Sequence, residues 1–120
     1  MKEYKLTISS ITPSLNKLIR THFRGRMELK ENLGWEVMVA TYGLDIPPAT
    51  EPLPRTVKIT SYRVSLLDED NLIGGTKPLT DCLVDQKLIY DDRPTLLELH
   101  VEQRQVKKRS EQRTEITISF

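Results

Sequence analysis

Between Asp68 and Asp92 the chain places acidic residues at both ends of one supersecondary unit, with Lys77 between them. Asp68 and Asp70 are one residue apart, so on a continuing strand both carboxylates emerge on one face while Glu69 points away. Asp91 and Asp92 then follow a short helix. Oxygen donors of this kind suit a hard divalent cation. A catalytic Mg²⁺ is usually held by one or two protein carboxylates, with water and substrate phosphate completing its shell, and Mn²⁺ accepts the same donors. Asp68, Asp70 and Asp92 are the expected metal-holding set, and the chemistry that follows is in-line attack of water on a phosphodiester. Lys77 either neutralises charge building on the phosphoryl group or protonates the leaving 3′ oxygen, and the residues leave both roles open.

An Asp-x-Asp pair alone is commonly a solvated turn; the surrounding residues raise its weight. Lys77 in a first helical turn sits beside backbone amides that favour anions. Asp81 lies one turn further on, where i to i+4 pairing with Lys77 is available. Asn71 either orients a ligand from behind or caps the chain, and Asp91 reads as support or as punctuation between helix and strand. His22 and His100 have no convincing partner.

These residues need elements to position them. Tyr4, Leu6 and Ile8 alternate with polar neighbours, the period of a half-buried strand that ends before Pro13. Residues 14–25 read as an irregular basic connection, and 26–30 as a short strand after Gly25. From Glu31 to Leu44 the pattern favours a helix with two apolar stripes, Leu33, Val37, Ala40 and Leu44 on one side and Trp35, Met38, Val39 and Tyr42 on the other. Such a helix needs two burial surfaces, its own sheet and another subunit. Pro47, Pro48, Pro52 and Pro54 make an extended loop. Arg55 to Leu66 returns to strand, with a parity change that suggests a bulge near Thr60 and Ser61, and this strand delivers Asp68 and Asp70. Gly74 and Gly75 break the chain. Thr76 then looks like an N-cap, and Leu79, Cys82 and Leu83 make the apolar stripe of a helix ending near Lys87. Two further strands, around Leu97–Val101 and Ile116–Phe120, are joined around the basic segment near Lys107.

The 120 residues are read as one domain spanning 1–120, without room for a second core. The longest apolar run, Val37 to Ala40, is far short of a membrane span, and the polar start Met1-Lys2-Glu3-Tyr4-Lys5 lacks a signal-peptide apolar region. A cytoplasmic protein without membrane or small-molecule cofactor is the expectation. Cys82 is the single cysteine and is assigned to the core. The net charge of +1 hides a separation of charge. Lys17, Arg20, Arg24 and Arg26, with Asn16 beside them, form one candidate DNA-binding stretch, and Lys107, Lys108 and Arg109 form a second.

The run Asp68-Glu69-Asp70-Asn71-Leu72, then Thr76-Lys77-Pro78-Leu79-Thr80-Asp81-Cys82-Leu83, then Ile89-Tyr90-Asp91-Asp92 resembles the core motif of the RusA family of Holliday-junction resolvases. That pattern is an aspartate, any residue, Asp-Asn-Leu, a lysine, an Asp-x-Leu in the following helix, and an Asp-Asp pair opening the next strand. Upstream, Pro13-Ser14-x-Asn16 and Arg20-x-His22 resemble the family's N-terminal loop more weakly. The resemblance implies that Asp68, Asp70 and Asp92 are the catalytic acidic residues and Lys77 the catalytic lysine. It implies Mg²⁺ dependence, four-way DNA as substrate, an intertwined homodimer, and a mixed α+β fold with a small, largely antiparallel sheet and two main helices. Phage or prophage origin, in a bacterial cytoplasm, belongs to the same implication. Two features depart from the pattern: Gly74-Gly75 reads as a short insertion, and Arg63-Val64-Ser65-Leu66-Leu67 stands where the best-known type is strongly basic. The alternative readings are a non-catalytic dimeric DNA-binding protein of the same fold and a nuclease acting on flaps or forks.

Overall fold

The computed structural model describes residues 1–120. Four strands form one mixed sheet: β1 (Glu3–Ile8), β2 (Arg55–Arg63), β3 (Leu97–Gln105) and β4 (Arg113–Ser119), in the order β1-β4-β2-β3. The β1–β4 and β4–β2 pairs are antiparallel, and β2–β3 is parallel. Alternation decides which face is buried. Leu6, Ile8, Val57, Ile59, Ile116 and Ile118 point to one side and are almost wholly buried, whereas the other side carries a polar lattice, including Tyr62 donating to Glu115 at 2.8 Å and Lys58 paired with Glu102 at 3.4 Å.

The long helix α2 (Phe23–Ala40) and α4 (Lys77–Asp85) cover the apolar face, joined by the short helices α1 (Leu15–Arg20) and α3 (Glu69–Gly74). Leu33 and Val37 from α2 meet Leu79, Cys82 and Leu83 from α4 in the core. Full burial of one such aliphatic side chain is worth about 1.5–3 kcal/mol. Polar contacts lock the two helices together: Gln86 Nε2 donates to Gly34 O at 2.7 Å and Cys82 Sγ to Lys30 O at 3.3 Å. The architecture is therefore mixed α+β with two main helices. No helix is long and apolar enough to cross a membrane.

Several local expectations are corrected. Residues 14–25 are not irregular. Ser14 caps α1 by accepting from Lys17 N at 3.0 Å, and α2 begins at Phe23, where the His22 ring accepts from Arg24 N at 3.2 Å. The short strand at 26–30 is thus helix. Gly25, expected to precede a strand, lies inside α2, where a Cβ would meet Thr21 Cγ2 at 2.8 Å in the α1–α2 elbow.

There is no bulge in β2, since Thr60 and Ser61 keep register with Glu115 and Thr114 on one side and with Glu102 and Gln103 on the other. The parity change in the sequence arises because Ser61 and Arg63, both polar, continue the buried face. β3 and β4 are not a hairpin, because β2 lies between them. Their connection, with a single 3₁₀ turn at Arg109–Glu111, crosses the end of β2, and Val106 N donates to Arg63 O at 2.9 Å. The α4 helix stops at Asp85, slightly before the expected Lys87, whose own φ of 59° turns the chain away.

Candidate active site and nucleic-acid surface

The backbone ladder of β2 ends at Arg63, and side chains take over. Gln112 Oε1 accepts from Val64 N at 3.0 Å, and Gln103 brackets Leu67, accepting from its N–H at 3.0 Å and donating to its carbonyl at 2.6 Å. The chain then enters α3, so Asp68 and Asp70 do not share the face of a strand. Asp68 is the N-cap: its Oδ1 accepts from Asn71 N at 2.9 Å, and Asn71 Nδ2 donates to both carboxylate oxygens at 3.2 and 2.9 Å. These hydrogen bonds from Asn71 hold the Asp68 carboxyl below its usual range. Asp70 falls in the first turn, exposed, with Glu69 exposed beside it. An acid here also suits the positive end of the helix.

Asn71 faces two ways. While its amide nitrogen serves Asp68, its Oδ1 accepts from Asn16 N at 2.9 Å and thereby fastens α1 to α3. The Gly74-Gly75 pair makes this docking feasible. A Cβ on Gly75 would lie 1.7 Å from Pro13 O, and one on Gly74 would meet the Leu15 side chain at 2.8 Å. The two glycines, expected as chain breakers, are sites of close approach between the acidic and basic segments. An open cleft of about 440 Å³ results, lined by Leu15, Asn16, Asp68, Glu69, Asp70 and Asn71.

Lys77 opens α4. Thr76 precedes it as expected, but its hydroxyl donates backward to Ile73 O at 2.7 Å and makes no cap bond. The Lys77 ammonium meets Asp92 Oδ2 at 2.5 Å and Asp81 Oδ1 at 3.0 Å. The anticipated i to i+4 pair is present. Hydrogen bonds to Asp92, then to Asp81, raise the lysine above its ordinary pKa, and the bond from Lys77 is the main cause that lowers Asp92. Asp91 serves its neighbours: Oδ1 accepts from Asp92 N at 2.6 Å, and Oδ2 pairs with Arg93 Nε at 2.8 Å. The Asp91-Asp92 pair does not open a strand, because β3 starts at Leu97, the residue opposite Arg55 at the far end of β2. Lys77 and Asp92 share a second cleft of about 490 Å³ with Ile73, Thr80, Leu97 and Leu99.

The expected three-carboxylate set is therefore not brought together within one chain. Asp68 and Asp70 face one cleft, Asp92 faces another with an ammonium against it, and no three acidic, imidazole or thiol groups converge on a cation-sized space. The donors Asp68 and Asp70, both exposed, with Asp68 oriented by the Asn71 amide, fit a cation that keeps most of its water.

The expected DNA-binding basic residues are free of ion pairs. Lys17, Arg20, Arg24 and Arg26 are exposed and take part in none of the ion pairs, whereas Lys30 is held by Asp85 at 3.0 Å and Lys77 by two aspartates. Lys107, Lys108 and Arg109 are likewise exposed and unpaired, on the connection crossing the end of β2 from which residues 64–68 also leave. Sequence reasoning missed Arg63. Its guanidinium is buried without a carboxylate, donating to Thr12 O at 2.7 Å and Ser61 Oγ at 3.1 Å, so it clamps the turn that leads into α1. An arginine in phase with Val57 and Ile59 was the available signal.

No protein-family model matches the chain, and no curated protein is similar enough to count as a relative. The likeness to the RusA family rests on the motif residues alone.

Proposed function

We propose that the chain is a divalent-metal-dependent endodeoxyribonuclease of the RusA type that nicks four-way DNA junctions as a homodimer. The observation that carries this reading is the junction at Asn71. One side chain links Asp68 to the backbone of α1, so the acidic turn and a run of unpaired cations form one continuous surface. Cations that hold no carboxylate engage phosphates without first breaking a pair, and phosphate contacts supply most of the affinity for DNA.

Asp68 and Asp70 would hold the cation, which when bound polarises a phosphoryl oxygen and activates water. Asn71 fixes the Asp68 carboxylate in its ionised form and in one orientation. Lys77, kept as an ammonium by Asp92 and Asp81, acts as a charge stabiliser for the phosphoryl group in preference to a proton donor, because a useful acid needs a pKa close to the working pH. A second copy covers the exposed Trp35 and Val39 on the later turns of α2 and Tyr42 just beyond its end, and a two-fold molecule presents two sites to opposed strands.

The pairing of Asp92 with Lys77 favours one rival, a protein that binds DNA and cuts nothing. Purified protein incubated with labelled four-way, flap and linear DNA, with and without Mg²⁺, decides between them. Paired nicks in the four-way substrate only with the metal are expected. Binding without nicks in any substrate supports the rival, and cleavage confined to flaps moves the substrate class.

A further inference from the structure

Three large apolar side chains stand in the open among the cations of α1 and α2. Ile19 is 67 % exposed, Phe23 62 % and Met27 55 %. Phe23 and Met27 are one turn apart on the same side of α2, and Ile19 faces them from the end of α1. Together with Leu15, Leu18 and Pro78 they line a groove of about 460 Å³ that runs to Lys77 at the start of α4, a volume in the range of small-molecule and cofactor sites. Its charge is as informative as its shape. Arg26 lines it without an acidic partner, and Lys77 lines it as well. The one carboxylate inside, Asp81, shares the Lys77 ammonium with Asp92, and Lys30 at the rim is occupied by Asp85, so Arg26 is the free cation of the groove.

Apolar side chains that include one aromatic ring, beside one free guanidinium, match one ligand chemistry well: a planar heterocycle carrying phosphate. Paired bases in a duplex keep their faces stacked on each other, and such a groove cannot reach them. An unpaired nucleotide at a branch or bulge has a free face, and aromatic side chains take it up whatever its sequence.

We infer that the groove receives one unpaired nucleotide of branched DNA, its base against Phe23 and Met27 and its phosphate against Arg26. The inference rests on the DNA-cleaving reading and adds to it the feature that distinguishes a branch from plain duplex. It also gives Lys77 a substrate geometry, since the stacked base sets where the adjoining phosphate lies.

The test compares affinity for a duplex with a single-nucleotide bulge against a fully paired duplex of equal length, for the parent, Phe23→Leu and Phe23→Ala. Both variants keep an exposed position exposed, so folding is not at risk. The parent should prefer the bulged duplex, and Phe23→Ala should cut that preference about 10-fold, the scale of one lost base–aromatic contact. Affinity for the paired duplex should stay unchanged, and Phe23→Leu should fall between. A 5-iodouracil placed in the bulge should crosslink to Phe23. A bulge preference untouched by Phe23→Ala overturns the inference, as does a loss of dimer mass in that variant by sedimentation, which would assign the groove to a second copy. If the parent binds the paired duplex without any bulge preference, only this inference fails. If it binds only a four-way junction run beside them, this inference alone fails; if it binds neither duplex nor the junction, the proposed function fails with it.

Discussion

Asp68 and Asp70 are the same residue type two positions apart, and the fold gives them different work. Asp68 accepts from Asn71 with both oxygens and caps the first turn of α3, whereas the Asp70 carboxylate makes no hydrogen bond. Asp70→Asn should abolish cleavage, leave the melting temperature unchanged, and keep junction affinity within a few-fold, because affinity comes from lysine and arginine contacts to phosphate. Gel-shift and cleavage assays on one preparation check this; a variant that still cuts at the parental rate would remove Asp70 from the site. Lys77 makes a separate prediction. Its pKa is raised, so the ammonium persists to higher pH than for a free lysine near 10.4. Single-turnover cleavage should show no alkaline loss below about pH 10 attributable to this residue, and Lys77→Arg, which preserves charge, should retain more activity than Lys77→Met. An alkaline limb near pH 8 that vanishes in Lys77→Arg would make the lysine a proton donor instead.

At the scale of elements, the loop that carries the chain from β1 to α1 is held at both ends. Glu36 on α2 accepts from Ser9 Oγ at 2.8 Å, from Ser10 N at 3.1 Å and from the Ser10 hydroxyl. Burial pushes its carboxyl up, but the bonds from Ser10 and Ser9 together outweigh burial and lower it. A carboxylate with a depressed folded pKa stabilises above its unfolded value of about 4.3, and that contribution disappears as pH falls through the folded value. Glu36→Gln should therefore lower stability by about 1 kcal/mol at neutral pH, with the gap to the parent closing below about pH 4; urea titrations at both pH values measure it, and a gap independent of pH would show that the ionised form is not what matters. Gly75→Ala is the harsher change. Its Cβ would have to displace the Pro13 carbonyl, which lies 1.7 Å away, and overpacking of this kind costs about 1–3 kcal/mol or more. Loss of stability of that order is expected, and an Ala variant as stable as the parent would mean that α1 is not seated against α3 in solution.

The same elements show what was legible. β1, β3, β4 and α4 were readable because their apolar residues keep one period, whereas the parity of β2 was misread because the polar Ser61 and Arg63 continue its buried face. The start of α2 was hidden because its apolar residues point several ways, with Phe23 and Met27 outward and Leu33 inward, and because Gly25 mimics a break. The Asp-x-Asp spacing fits the face of a strand as well as it fits a cap followed by a first turn, and only the end of the β2 ladder decides between them. The Lys77–Asp81 pair follows from helical spacing alone, whereas the Lys77–Asp92 contact depends on how the loop after α4 returns to the sheet.

For the whole molecule, the sheet order sends three segments out of one end. β1, β2 and β3 finish where β4 begins, as the pairings of Ile8 with Thr114, Ser61 with Thr114 and Gln105 with Arg63 require. Residues 9–14 leading to α1, residues 64–68 leading to Asp68, and the connection carrying Lys107, Lys108 and Arg109 all leave there. In a protein of net charge +1 the unpaired Lys17, Arg20, Lys107, Lys108 and Arg109 sit on segments that leave this end of the sheet with the acidic turn, while Lys5, Lys58 and Arg113 are neutralised within the polar lattice of the sheet. The salt dependence of binding should follow this partition. Each lost phosphate contact lowers the slope of log K against log salt by about 0.9 on duplex arms. Replacing Arg20 and Arg24 together by alanine should weaken junction binding and flatten the slope by nearly two contacts' worth. Replacing Lys107 and Lys108 should act in the same direction if the DNA spans that end of the sheet, and Lys5→Ala should change neither quantity. Dissociation constants measured across a salt series test all three at once. An Arg20/Arg24 variant that keeps the parental slope and affinity would make α1 and the start of α2 a solvated connection, and would leave DNA contact to the β3–β4 connection alone.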